Sequence, residues 1–257
     1  RGSALSATYR RHGSLVMKIG YKFKFESGRS EVFDLEFDDQ SFAIRPNPIS
    51  TVSTSESWME LEHHQCPDCT LSKYQYPICP VAANLGCVVD PFQQDASYTP
   101  VTTEVDFRER KVVKKSDLQG GLSSMIGLVM ATSGCPVLDK LRPMAYTHQP
   151  FSNIDETIYR AIAGYLLAQY VRQEEQREAL FKAEGLVEIY TKIGRLNNAF
   201  SKRLRGFKDD ANINALVILD LFAKMGELYL NDEWRKQMLP LFEVYLNEQK
   251  PLFGGLS

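Results

Sequence analysis

The chain has no apolar run of the ~18–20 residues that a membrane span needs. Its longest apolar stretches, Met125–Ala131 and Ala215–Ala223, have the length of buried helix segments. An excess of one charge sign is also missing. The formal net charge is -2, which makes no electrostatic case for nucleic acid or an anionic membrane. The glycine-rich phosphate-binding patterns are absent, so Gly120, Gly121 and Gly127 read as small residues that let a neighbour pack closely. No CxxCH string offers covalent haem attachment, and no repeat or low-complexity segment interrupts the chain. Cysteine is sparse and odd in number, with four of the five between positions 66 and 87. Such crowding argues for thiolate ligands over a disulfide framework and for a reducing, cytoplasmic home.

What is present centres on His63-His64-Gln65-Cys66-Pro67-Asp68-Cys69 and Cys79-Pro80-Val81-Ala82. The two-residue spacing of Cys66 and Cys69 lets both thiolates face one ion from a tight turn, which Pro67 stiffens. Cys79 returns as a third ligand and His64 as a fourth, with Cys87 and Cys135 in reserve. Mixed sulfur and nitrogen ligands make zinc the expected metal. An iron–sulfur cluster on Cys66, Cys69, Cys79 and Cys135 is a second reading. A CxxC redox pair is a third, although such a pair normally opens a helix and residues 70–77 read as loop. Period-two alternation through Trp58–His63 predicts a strand. It puts His63 with Met59 and Leu61 on the buried side and leaves His64 the freer ligand.

Further along, Met130-Ala131-Thr132-Ser133-Gly134-Cys135-Pro136 and Leu141-Arg142-Pro143-Met144-Ala145 form two more distinctive strings. Together with His64–Cys69 and Cys79–Ala82 they resemble a bacterial family of a domain of unknown function, from about Met17 to about Phe242. The resemblance implies that Cys66, Cys69, Cys79 and Cys135 lie in family motifs and that Cys87 does not. It matches His64 to the family's histidine and puts His63 where the family tends to be apolar. It implies no activity.

The fold expected is α+β. Residues 1–16 read as a disordered leader, and Met17 as the native start. Residues 17–116 read as a β-rich region of five or so mostly antiparallel strands carrying the Cys/His knuckle. Met17–Phe25 alternates strictly and turns at Gly28 into a hairpin, and residues 102–115 form a second. Ser50–Ser57 is a polar loop. Pro80–Val89 reads as a helix with Pro80 in its first turn, so Cys79 meets the favourable end of the helix dipole. Residues 117–250 read as a bundle of about five helices, with Ser116 or Asp117 as a cap and Gly134 as a stop. That bundle has room to share one core with the sheet, with Cys135 as the link. Glu156 and Arg160 are spaced for a surface ion pair. The stripe Ile158, Ile162, Tyr165, Leu166 and Tyr170 predicts one buried face, and Ala211–Met225 is apolar nearly all round, as a central helix would be. Pro240 should break the last helix.

No acid–base or nucleophile constellation stands out. Cys135 with His148 would need an orienting group and a cleft, and none is local. The functional expectation is therefore a non-enzymatic cytoplasmic metal protein acting as an interaction or regulatory module toward a protein partner. A zinc enzyme with an open position and a redox or iron–sulfur sensor are the competing readings.

Overall fold

The computed structural model describes residues 17–45, 57–204, 210–229 and 232–247. The leader and all of the polar loop but Ser57 lie outside these residues. Strand β1 (Met17–Phe25) and strand β2 (Ser30–Phe37) form the first hairpin, with Gly28 at φ 89° in the turn. After a single helical turn at Ser57–Met59 comes helix α1 (Pro80–Val89). Strands β3 (Pro100–Phe107) and β4 (Arg110–Asp117) form the second hairpin. The four strands make one antiparallel sheet in the order β2-β1-β3-β4. Its inner face is what strict alternation demands: Ile19, Tyr21, Phe23, Val105 and Phe107 are buried together. Each such side chain contributes ~1.5–3 kcal/mol.

Helix α2 (Leu118–Thr132) lies across that face and begins at Asp117, whose Oδ1 accepts the Gly120 N–H at 3.0 Å. The remaining helices are α3 (Arg142–Tyr146), α4 (Ile154–Glu174), α5 (Ala183–Leu204), α6 (Asp210–Tyr229), α7 (Asp232–Met238) and α8 (Glu243–Leu246). One hydrophobic cluster runs from Ile19 in β1 to Ala223 in α6, so sheet and helices share a core. Pro240 falls in the turn between α7 and α8, as expected of it. Among the described residues no helix is long and apolar enough to cross a membrane.

Four expectations are corrected. The sheet has four strands, because Trp58–His63 is a helical turn followed by tight turns, with one isolated bridge from Glu60 to Ile78. Helix α4 buries Ile158, Ala161 and Gln169 but exposes Leu166 and Tyr170, so its covered face lies to one side of the expected stripe. Helix α6 packs against α2, α4 and α5 and buries Ala211, Ala215 and Leu216, but it leaves Val217 and Leu221 about half exposed and so is not covered all round. Glu156 does not pair with Arg160. Its carboxylate accepts the Asn153 N–H at 2.8 Å in a capping box, and Arg160 donates to the Met144 carbonyl at 2.7 Å.

The close approach of α2 to the sheet depends on Gly121. A Cβ there would stand 2.5 Å from Thr103 Oγ1 and 2.9 Å from the Phe23 ring. Gly121→Ala should therefore destabilise the protein by about 1–3 kcal/mol in urea unfolding, despite the better helix propensity of alanine. Gly164, inside α4 with nothing within 4 Å of its would-be Cβ, should show the reverse. Gly164→Ala should stabilise by about 0.5–1 kcal/mol.

Candidate metal centre

Four cysteines from three segments of the chain line one place. Cys66 and Cys69 come from the loop before α1, where the Cys69 N–H donates to the Cys66 carbonyl at 3.0 Å and closes a tight turn. Cys79 is the N-cap of α1, with Pro80 in the first turn behind it. Its N–H donates to the Met59 carbonyl at 2.8 Å, and the Leu61 N–H donates to the Pro77 carbonyl at 2.9 Å, so the loop is closed on itself at its base. Cys135 follows Gly134, whose φ of 81° reverses the chain after α2. The Asp139 N–H donates back to the Cys135 carbonyl at 2.9 Å.

These four side chains line one small cavity of about 20 Å³, together with His64, Leu61, Leu196, Phe200 and Arg203. That is room for about one water-sized body. No residue of the sheet lines it. The thiols therefore sit between the loop, the start of α1, the turn after α2 and the face of α5, and the expectation that the sheet carries them is corrected. Cys87 stays apart and donates its S–H to the Asn84 carbonyl. His64 is exposed at the rim, at φ 46°, with its ring 4.7 Å from that of His63. His63 is half-buried and His64 exposed, as expected, although the strand invoked to argue it is not there.

Two of the thiols, Cys66 and Cys135, are held protonated. Burial pushes Cys66 up to about 12, and the neighbouring Cys69, Cys135 and Cys79 add to the shift. Burial pushes Cys135 up to about 11, against the opposing pull of the Leu138 and Val137 backbone N–H groups. As the side chains stand, no group of three or more His, Cys, Asp or Glu among the described residues could hold a metal ion. The knuckle expected from the sequence is thus a shared cavity of suitable ligands and not an assembled coordination shell.

Arg203 belongs to this site, although no sequence motif marks it. From the end of α5 its guanidinium donates to the backbone carbonyls of Trp58, Glu60 (2.6 Å) and Leu61 (3.2 Å). Burial lowers its proton affinity, while Cys79, Cys66 and Cys69 act the other way. A second tie is visible at the surface. Arg195 of α5 donates through Nε and Nη2 to both carboxylate oxygens of Asp68, each at 2.7 Å. This bidentate pair sets orientation more than stability, since exposed pairs contribute ~0–1 kcal/mol.

His148 does not join Cys135. It is buried against the sheet, with Nε2 2.6 Å from the Tyr21 hydroxyl, which in turn lies 2.9 Å from Ser124 Oγ. Burial, with Arg160 and Arg110 nearby, lowers His148 to about 3.

The match to known families covers almost the whole described fold: residues 19–242 fit a family described as a domain of unknown function, DUF6901. The chain belongs to that family. No curated protein and no solved structure matches it. The DUF6901 match includes all four clustered cysteines and Arg203.

Two outcomes follow for this DUF6901 protein. Arg203→Met should cost about 3 kcal/mol, because three carbonyls lose a charged donor. It should also raise amide hydrogen exchange at Leu61 and Cys79, while Arg203→Lys recovers only part of the loss. Separately, His148 is neutral in the folded state and protonates readily in the unfolded one. Its contribution to stability is complete above its ordinary value of 6.5 and is lost as pH falls toward about 3. Each pH unit within that window costs about 1.4 kcal/mol. His148→Gln should flatten the acid limb of the stability profile.

Proposed function

We propose that Cys66, Cys69, Cys79 and Cys135 bind one zinc ion as a closed structural site in a non-enzymatic protein that presents the stapled loop to a protein partner. The observation that carries this reading is the meeting of four thiols, from three separate chain segments, on one cavity of about 20 Å³. Four sulfur ligands are a common complement for structural zinc. The small volume favours a single ion over a cluster. Rotation of the cysteine side chains is the step that draws the sulfurs onto the ion. Deprotonation goes with it, since a cation reverses the electrostatics that now keep Cys66 and Cys135 neutral. His64, at the rim, is not needed as a ligand.

The raised thiol of Cys66 also weighs against the redox reading, because a reactive CxxC needs a lowered thiol pKa. The surface that the site shapes is a groove of about 420 Å³ beside Cys69, between Pro67–Thr70, Pro136–Val137 and Ile189 and Lys192 of α5. We place partner contact there.

Elemental analysis of freshly purified, reduced, chelator-free protein should find about one zinc per chain. Cys66→Ser and Cys135→Ser should lose the zinc and lower the melting temperature by on the order of 10 °C. Cys87→Ser and His64→Ala should keep both. Iron with a visible absorption band would replace this reading by the iron–sulfur one. Absence of any metal would end it.

A further inference from the structure

A second cavity, of about 340 Å³, lies among α2, α3, α4, α5 and α6 and is separate from the thiols. Its size falls at the lower end for small-molecule sites. Its walls are largely apolar, with Leu128, Met144, Ile193 and Leu219 among them. Polar groups interrupt these walls, Tyr190, Asn197, Gln149 and Thr157 among them. His148 and Ser124 both line it and are tied to each other through the Tyr21 hydroxyl behind them. Arg160 also lines it, and so does Lys114, whereas no aspartate or glutamate does.

Arg160 is only partly occupied by protein. Its Nη2 donates to the Met144 and Thr147 carbonyls at 2.7 and 3.1 Å, and its Nη1 reaches Ser152 Oγ at a long 3.4 Å. Among the described residues Nε–H has no hydrogen-bond acceptor. A half-buried guanidinium with donors to spare, in a cavity without a carboxylate, is a site for an anion that arrives with the ligand. The apolar walls require that the rest of the ligand be hydrocarbon. His148 adds a neutral donor or acceptor and no further charge.

We propose that this cavity binds a small amphipathic monocarboxylate, with the carboxylate on Arg160 and the hydrocarbon body between Leu128, Ile193 and Leu219. The proposal is independent of the metal site and stands on different residues.

Calorimetric titration of the full chain with decanoate, below its micelle concentration, tests it. Saturable binding at about one site is expected, with decanol at least tenfold weaker. Arg160→Gln should weaken decanoate about tenfold and leave decanol unchanged. Leu219→Trp, at a half-buried wall position, should abolish both by filling the space, with the melting temperature reporting that the fold is intact. No saturable binding overturns the proposal. Decanol binding as tightly as decanoate overturns the anion contact without relying on any variant. Unchanged decanoate affinity in Leu219→Trp would put the binding elsewhere on the surface and also overturn it.

Discussion

The Arg203 guanidinium holds the least regular part of the molecule to its most regular part. Residues 57–79 contain one helical turn and one isolated bridge, so few of their carbonyls are used by ladders or helices. A buried carbonyl without a donor costs ~1–3 kcal/mol. Arg203 donates to those of Trp58 and Leu61, and to that of Glu60 beside the His63 N–H, from a helix that is itself anchored in the core through Ile193, Leu196 and Phe200. A buried cation is expensive unless it is paired, and the nearest groups able to carry negative charge are the thiols of Cys79, Cys66 and Cys69. The cost of one feature is thus offset by the needs of the other. In the proposed four-thiolate site the ligands carry more negative charge than a divalent ion neutralises, and Arg203 is the residue placed to balance the excess.

The same charge argument weighs against the thiol redox reading. Cys66 at about 12 and Cys135 at about 11 are poor nucleophiles and poor redox partners at neutral pH. Both are raised first by burial, with neighbouring sulfurs adding to it, and a bound cation removes the neighbours' part. Cys87 is a useful contrast. Its thiol is also raised by burial, yet it satisfies its S–H on Asn84 and faces no other sulfur. It has the protonation of its neighbours without their company.

Much of the fold was legible from periodicity, and the failures share a physical cause. Nine residues of strict alternation identify β1, because only a half-buried strand sustains that pattern. Six residues from Trp58 do not, because a helical turn followed by a bridge produces the same short alternation. Helices α4 and α6 were read from the width of their apolar stripes, but a stripe says nothing of whether a neighbour covers all of it. The thiol cluster was legible as a residue set, since Cys66, Cys69, Cys79 and Cys135 carry the motifs and Cys87 does not. Arg203 looked like an ordinary charge at a helix end. Its signal was present all the same. It sits three residues after Phe200 and seven after Leu196, on the buried stripe of α5, where a solvated arginine has no place.

Helix α5 also relates the two cavities. Tyr190, Ile193 and Asn197 wall the larger one, and Leu196, Phe200 and Arg203 wall the thiols. Positions three and four apart share a helix face, so the cavities are stacked along one stripe and not set on opposite sides. A rigid helix alone does not couple them, because coupling needs an element with two arrangements that both sites bias. The turn after α2 has the better form for that role. It reverses at Gly134, gives Cys135 to the thiols, and gives Leu138 and Leu141 to the larger cavity only a few residues later. A metal ion that drew Cys135 inward would move that turn. The wall of the second cavity would then be the first surface to register the change.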